Sequence, residues 1–264
     1  MQTFQAIVSD FDGTLAGRGG IMSSNVVAAI RSWIHSGRHF SVATGRQFTH
    51  LKAQFQLLGL TSPQIVRGAS EIVDPTTGTI IWHEYIPRED IKKLVKLLID
   101  NKIPFSVERG TSYYTLEGEP YFGIDPRLYQ TVDRIPDTDM PTILMIADNL
   151  QESFMEQFVK YSIQPKFKNL HITKSYSPNG MSWSITSEKA TKHLALLHLS
   201  KLIGITPDEM IAIGDGYNDY PLLSACGFKV AMANAPRELT DIADLIVPTY
   251  EEDGVIKVIE KFML

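Results

Sequence analysis

A doubly wound α/β fold, a parallel-sheet core with an inserted α+β domain, is predicted by three features of the sequence. Apolar runs alternate with amphipathic helical stretches at both ends of the chain. Two of those runs stop at clusters of aspartate and glycine. The middle third switches to short alternating segments punctuated by turns.

Residues 4–9 form an apolar run that ends at Asp10-Phe11-Asp12-Gly13-Thr14, as a buried parallel strand does at a functional loop. Ser23 or Ser24 caps a helix over 25–36, with Val26, Ile30, Trp33 and Ile34 on one stripe and Gly37 as terminator. A strand over 39–43 leads into Thr44-Gly45-Arg46 and a helix to about residue 58; a third strand covers 64–66. This β-α-β-α-β order belongs to a parallel sheet with crossover helices.

In the middle, residues 72–73 and 79–82 flank Asp74-Pro75-Thr76-Thr77-Gly78, a hairpin signal. A helix follows over 88–100, then a hairpin of 105–108 and 112–116 around Arg109-Gly110-Thr111. A strand over 142–147, a helix over 150–161 and strands over 170–174 and 181–185 complete this α+β segment. Read as an insertion, it divides the chain into a core at 1–83 and 183–264 and an inserted domain at 84–182.

The C-terminal part returns to the first style. A helix is predicted over 189–202, and a strand over 210–213 ends in Gly214-Asp215-Gly216. A helix over 218–225 tolerates Pro221 in its first turn. Strands over 228–232 and 245–247 and a helix over 251–262 close the chain.

Composition narrows the function. The chain has 264 residues, 44% hydrophobic and 21% charged, with a net charge of −5 from 25 basic and 30 acidic residues. That balance argues against a nucleic-acid wrapper or an anionic-membrane binder. The single cysteine, Cys226, excludes an intramolecular disulfide and lacks metal-ligand spacing. With no signal-like N-terminus and no long apolar run, the expected location is cytoplasmic, without a membrane, nucleic-acid or obligate protein partner.

Asp10 and Asp12 lie two apart where a strand gives way to a loop, so both carboxylates emerge beyond its carboxyl end. An Asx-rich turn is the plain alternative. Asp215 and Asp219, in Gly214-Asp215-Gly216-Tyr217-Asn218-Asp219, form a second acidic pair after a strand, although Asp219 also suits a helix N-cap. Carboxylates gathered at neighbouring strand ends repel unless a cation lies among them, and hard oxygens without His or Cys favour Mg²⁺. Thr44, Gly45 and Arg46 stand at a helix N-terminus suited to phosphate. A lysine, Lys192 or Lys189, adds positive charge.

These segments, in this order, resemble the four motifs of the haloacid dehalogenase (HAD) superfamily, whose core is Rossmann-like. The first motif is Asp10-Phe11-Asp12-Gly13-Thr14-Leu15, the second Thr44 and the fourth Gly214 to Asp219. An α/β insertion after the second motif resembles the type IIB cap of the Cof-type subgroup. The resemblance selects Lys192, because Ala190-Thr191-Lys192-His193-Leu194-Ala195-Leu196 matches the third-motif helix. It departs from the family at His193, Ser184, Arg67 and Ala233; Arg67 and His193 add bulk and charge near the substrate-facing side.

The resemblance implies a phosphatase acting on a small phosphorylated metabolite such as a sugar phosphate, flavin mononucleotide or pyridoxal phosphate. Asp10 is then the nucleophile and Asp12 the acid and base. Asp10, the Asp12 carbonyl and Asp215 hold Mg²⁺, and Asp219 orients Lys192 or a water on the ion. Thr44, Lys192, Gly45, Arg46 and Asn218 contact the phosphoryl group. A phosphomutase shares this chemistry, and a phospho-aspartate signalling module shares the acidic residues, threonine and lysine. Tyr113, Tyr114, Glu108 and Arg109 are read as packing or surface residues of the inserted domain.

Overall fold

Both faces of the first strand, β1 (Ala6–Ser9), are buried, as a central parallel strand requires. This is a computed structural model that describes residues 3–17, 19–110, 112–115, 129–131, 138–146, 152–177 and 180–263. After β1 come α1 (Ser24–His35), β2 (His39–Val42), α2 (Phe48–Leu58), β3 (Gln64–Val66), β4 (Glu71–Val73) and β5 (Ile80–His83). The middle of the chain holds α3 (Arg88–Asp100), β6 (Phe105–Arg109), β7 (Ser112–Thr115), β8 (Tyr129–Thr131), β9 (Thr142–Ile146), α4 (Glu152–Phe158), β10 (Leu170–Ser177) and β11 (Gly180–Ser187). The last third holds α5 (Lys192–Ile203), β12 (Met210–Gly214), α6 (Tyr220–Ala225), β13 (Phe228–Met232), α7 (Arg237–Thr240), β14 (Leu245–Val247) and α8 (Gly254–Phe262).

Contacts divide the chain into one unit of Met1–His83 with Thr191–Leu264 and a second of Glu84–Ala190. The first carries a five-stranded sheet in the order β14-β13-β12-β1-β2, with every pairing parallel. Alternation along β1 explains its two layers. Ala6 and Val8 join a cluster with Ala195, Leu196 and Leu199 of α5 and Leu222 and Leu223 of α6. Ile7 faces the other way, into a cluster with Ile30 and Trp33 of α1, Phe55 of α2 and Val258 of α8. The sheet is therefore doubly wound, with helices on both faces. A three-stranded antiparallel sheet, β3-β4-β5, adjoins it through a bridge between Ala43 and Ile65.

Local signals set the helix ends. Ser23 Oγ accepts from the Val26 amide at 3.1 Å to start α1. Thr191 Oγ1 accepts from the Leu194 amide at 3.2 Å to start α5, and Gly204 ends that helix at φ 70°. The helix expected from residue 189 thus starts at Lys192, because Thr191 caps it.

The second unit is a six-stranded sheet, order β10-β11-β9-β6-β7-β8, with α3 and α4 packed in its apolar cluster. The expected edge near residue 182 falls inside β11, which pairs continuously with β10 from Gly180 to Ser187. Strand β8, which pairs in parallel with β7, has no counterpart among the expected elements. The helix expected over 150–161 contains a change of winding: α4 stops at Phe158 and a π-helical turn spans Val159–Ile163. Thr111, Leu116, Ala147, Leu150 and Gln151, which those expected elements include, lie outside the described residues. No helix among the described residues is long and apolar enough to cross a membrane.

Candidate active site

Four neighbouring parallel strands end at one edge of the first unit's sheet. Running on from β13, β12, β1 and β2 in that order, they deliver Asn234, Asp215, Asp10 and Thr44. The Asp10 amide continues the pairing by donating to Ile213 O at 2.8 Å, and the Ala43 amide donates to Ser9 O at 2.8 Å. Parallel pairing alone brings together residues from both ends of the chain. The strand order reverses direction here, between β1 and β12, where open α/β sheets hold their ligands.

Lys192 is the charge that joins the cluster. Its Nζ lies 2.5 Å from Asp10 Oδ1 and 2.5 Å from Asp219 Oδ1, with all three side chains at most 8% exposed. Lys189, its rival in the sequence, is exposed in the turn before α5. Asp219 is fully buried and accepts two further hydrogen bonds on Oδ2, from the amides of Asp215 at 3.0 Å and Gly216 at 2.9 Å. It stands in the N-cap position of α6 yet makes no side-chain capping bond there. Its carboxylate instead meets Lys192 and closes the turn before it through the Asp215 and Gly216 amides.

Asp215 is steered by two residues to which the sequence alone assigns no role. Thr14 Oγ1 donates to its Oδ1 at 3.0 Å and Asn234 Nδ2 to its Oδ2 at 3.1 Å. The β12–β13 register, Gly214 beside Ala231, is the signal that points to Asn234. Gly13, at φ 84°, leaves room for the same carboxylate: a Cβ there would meet Asp215 Oδ2 at 2.2 Å. Gly214 is constrained likewise, since a Cβ would meet that of Asp219 at 2.4 Å.

Burial pushes the Asp10 carboxyl up to about 8; the Asp219 charge adds to the rise and Lys192 opposes it. Asp215 is raised too, by burial and then by Asp219. Burial disfavours the Lys192 charge, but Asp10 and Asp219 together outweigh it and hold the ammonium above its ordinary range. One cation thus balances three carboxylates incompletely. Asp10, Asp215 and Asp219 each offer an oxygen within 4.8 Å of the others, with no His or Cys in that set. Such a donor set fits a hard divalent cation.

The remaining expected residues sit around this cluster. Thr44 is buried, and its Oγ1 accepts from the Arg46 amide at 3.1 Å, which leaves its hydroxyl hydrogen to donate. Gly45 and Asn218 are exposed. The Asp12 side chain is not in that group of three carboxylates, of which Asp10 and Asp219 are buried and Asp215 half-buried; it is 45% exposed and held by Arg46. Arg67 is buried with its Nε 3.1 Å from Glu71 Oε1, so its charge is paired with Glu71; His193 is half-buried beside Lys192.

Comparison with known proteins bears on the family and the fold. A family model described as haloacid dehalogenase-like hydrolase matches residues 7–259. The phosphoglycolate phosphatase of Methanopyrus kandleri is 26% identical over 260 residues, covering 97% of this chain and 96% of that protein. The 5-amino-6-(5-phospho-D-ribitylamino)uracil phosphatase YitU of Bacillus subtilis is 24% identical over 270 residues, covering 97% and 96%. Among solved structures, the HAD subclass IIB sugar phosphatase BT4131 shares the fold with a TM-score of 0.78, at 19% identity over 98% of each chain.

Proposed function

Because the chain belongs to the haloacid dehalogenase-like hydrolase family, we propose that it is a Mg²⁺-dependent phosphomonoesterase acting on a small phosphorylated metabolite through an aspartyl-phosphate on Asp10. The observation that carries the reading is the buried contact of Lys192 with Asp10 and Asp219, beside Asp215. A buried carboxylate at a ligand-binding sheet edge, flanked by a fixed cation and a threonine hydroxyl, suits attack on phosphorus.

Asp10 forms the new O–P bond while the bond from phosphorus to the leaving oxygen breaks, and Asp12 gives its proton to that oxygen. Asp12 then takes a proton from the water whose oxygen attacks phosphorus. The Asp10 carboxylate is released with inorganic phosphate. Lys192 and Thr44 hold phosphoryl oxygens, together with the Gly45 amide and Asn218. Asp219 keeps Lys192 oriented.

Asp10, the Asp12 main-chain carbonyl and Asp215 would hold Mg²⁺, which when bound relieves the repulsion between carboxylate and phosphate dianion. Relatives with named substrates act on phosphoglycolate and on a phosphorylated ribitylaminouracil. Their shared feature is a phosphate monoester on a small polar body, and that is the class proposed here. The unit Glu84–Ala190 is the counterpart of the type IIB cap. We place the enzyme in the cytoplasm, where its buried lone thiol, Cys226, stays reduced.

Phosphate release from a panel of phosphorylated metabolites tests this reading. Turnover should require Mg²⁺, stop with EDTA, and be abolished in a folded Asp10→Asn variant. Undiminished turnover by Asp10→Asn would remove Asp10 as nucleophile.

A further inference from the structure

Arg46 follows Thr44 by two residues and stands where a phosphate clamp would be expected. Its guanidinium does something else. Nε donates to Asp12 Oδ2 at 2.8 Å and Nη2 to Asp12 Oδ1 at 2.5 Å, a two-pronged fork across one carboxylate. Among the described residues these are the hydrogen bonds that the Asp12 side chain makes. Asp12 is otherwise a 45%-exposed carboxylate on a loop, free to rotate.

Arg46 is itself held. Its guanidinium carbon lies 5.4 Å from the centre of the buried Phe11 ring, on the residue just before Asp12. Its main-chain carbonyl accepts from the Arg67 amide at 2.7 Å, and the Gly68 amide donates to Thr44 O at 3.1 Å. Those two donors belong to a turn in which Arg67, Gly68 and Ala69 all have positive φ, at 53°, 61° and 67°. Consecutive left-handed residues are strained for side-chain-bearing types. Here the turn points two successive amides at the Thr44–Arg46 loop, and Glu71 holds the Arg67 side chain.

We propose that Arg46 is a positioning residue for Asp12: its fork fixes the plane of the carboxylate that gives a proton to the leaving oxygen and later takes one from water. This rests on the phosphatase reading above. Each Asp12 oxygen keeps a lone pair outside the fork for the proton. A fixed plane aims that proton at the breaking bond, whereas a freely rotating carboxylate reaches alignment only part of the time. A lysine at 46 would offer one point charge in place of two parallel donors.

The test compares kcat/KM for an alkyl phosphate, whose leaving group needs a proton, and p-nitrophenyl phosphate, whose leaving group does not. Arg46→Gln and Arg46→Lys are assayed beside Asp12→Asn and the Arg46→Gln/Asp12→Asn double variant, with inorganic phosphate as inhibitor. Expected for Arg46→Gln is a loss of about 10²-fold on the alkyl ester and under about threefold on the nitrophenyl ester, in the range of acid–base effects. Arg46→Lys should show the same selective loss, and inhibition by phosphate should stay within about twofold of wild type in both. The double variant should be no worse than Asp12→Asn alone. Equal losses on both esters with weaker phosphate inhibition would make Arg46 a phosphate clamp and overturn the proposal; so would unchanged kcat/KM in both variants. Should Arg46→Gln fail to fold, Arg46→Lys, which keeps the charge, decides between the same outcomes. Failure of the phosphatase reading itself is seen separately, as wild-type protein that releases no phosphate from either ester.

Discussion

Lys192 and Asp10 stand 182 residues apart in the chain and meet at 2.5 Å in a buried contact that Asp219 completes from the other side. Taking two charges out of water costs several kcal/mol each, and a partner's attraction offsets that only at close range. This lysine is therefore structural, and the proposed mechanism gives it a chemical role as well.

Lys192→Met tests that double role. The variant leaves Asp10 and Asp219 buried without their cation, and unfolding in urea should show a loss of about 3–5 kcal/mol. Turnover should fall by at least about 10²-fold, the scale for one electrostatic contact to a transition state. Loss of stability with full activity would make the residue merely structural.

Gly13→Ala probes the space beside Asp215. Its Cβ would fall 2.2 Å from Asp215 Oδ2 on a backbone at φ 84°, so the carboxylate must move. The expected result is at least about tenfold weaker Mg²⁺ activation, the usual scale for disturbing residues around a metal ligand. A Mg²⁺ titration of phosphate release measures it; unchanged half-activation would show that Asp215 does not need its place.

The raised carboxyl of Asp10 makes stability depend on pH. Its folded value of about 8 lies above the ordinary 3.8, so the folded state holds the proton more tightly than the unfolded chain. Stability of the metal-free protein should then fall as pH rises between those values. Mg²⁺ and the proton compete for Asp10, so the rise in Tm on adding Mg²⁺ should be larger at about pH 8 than at about pH 5. Thermal melts in EDTA and in Mg²⁺ at the two pH values read both effects. An equal Mg²⁺ shift at both would mean that Asp10 does not take part in binding.

Cys226 offers a simple check on the core. Burial pushes its thiol up to about 12, so almost no thiolate exists near neutrality. A thiol reagent at about pH 8 should leave the native protein untouched and modify the single cysteine only after denaturation. Rapid labelling of native protein would show that α6 and its surroundings open readily.

Much of this was legible in the sequence where the signal is local. The apolar runs at β1 and β12 mark buried strands, and the aspartates that interrupt them mark the site. Ser23 marks the start of a helix because capping is a contact within a few residues. What escaped depends on distant neighbours. Thr14 and Asn234 are ordinary loop residues until β12 pairs with β1 on one side and β13 on the other and brings Asp215 between them. Asp219 sits where an N-cap would, and only the fold shows its carboxylate turned to Lys192 and two amides. Arg46 carries the chemistry of a phosphate ligand, yet Asp12 and Phe11 claim its guanidinium. Strand β8 is three residues long and lacks a periodic signal of its own.

The pairing of β1 with β12 also sets when the site can exist. A ribosome that has reached Ala190 has produced Asp10, Asp12 and Thr44 but none of Lys192, Asp215 and Asp219. The strand bearing Asp10 still waits for a neighbour on one flank. A chain that stops before Lys192 therefore lacks the buried contact of that lysine with Asp10 and Asp219, and on the proposed mechanism it is silent.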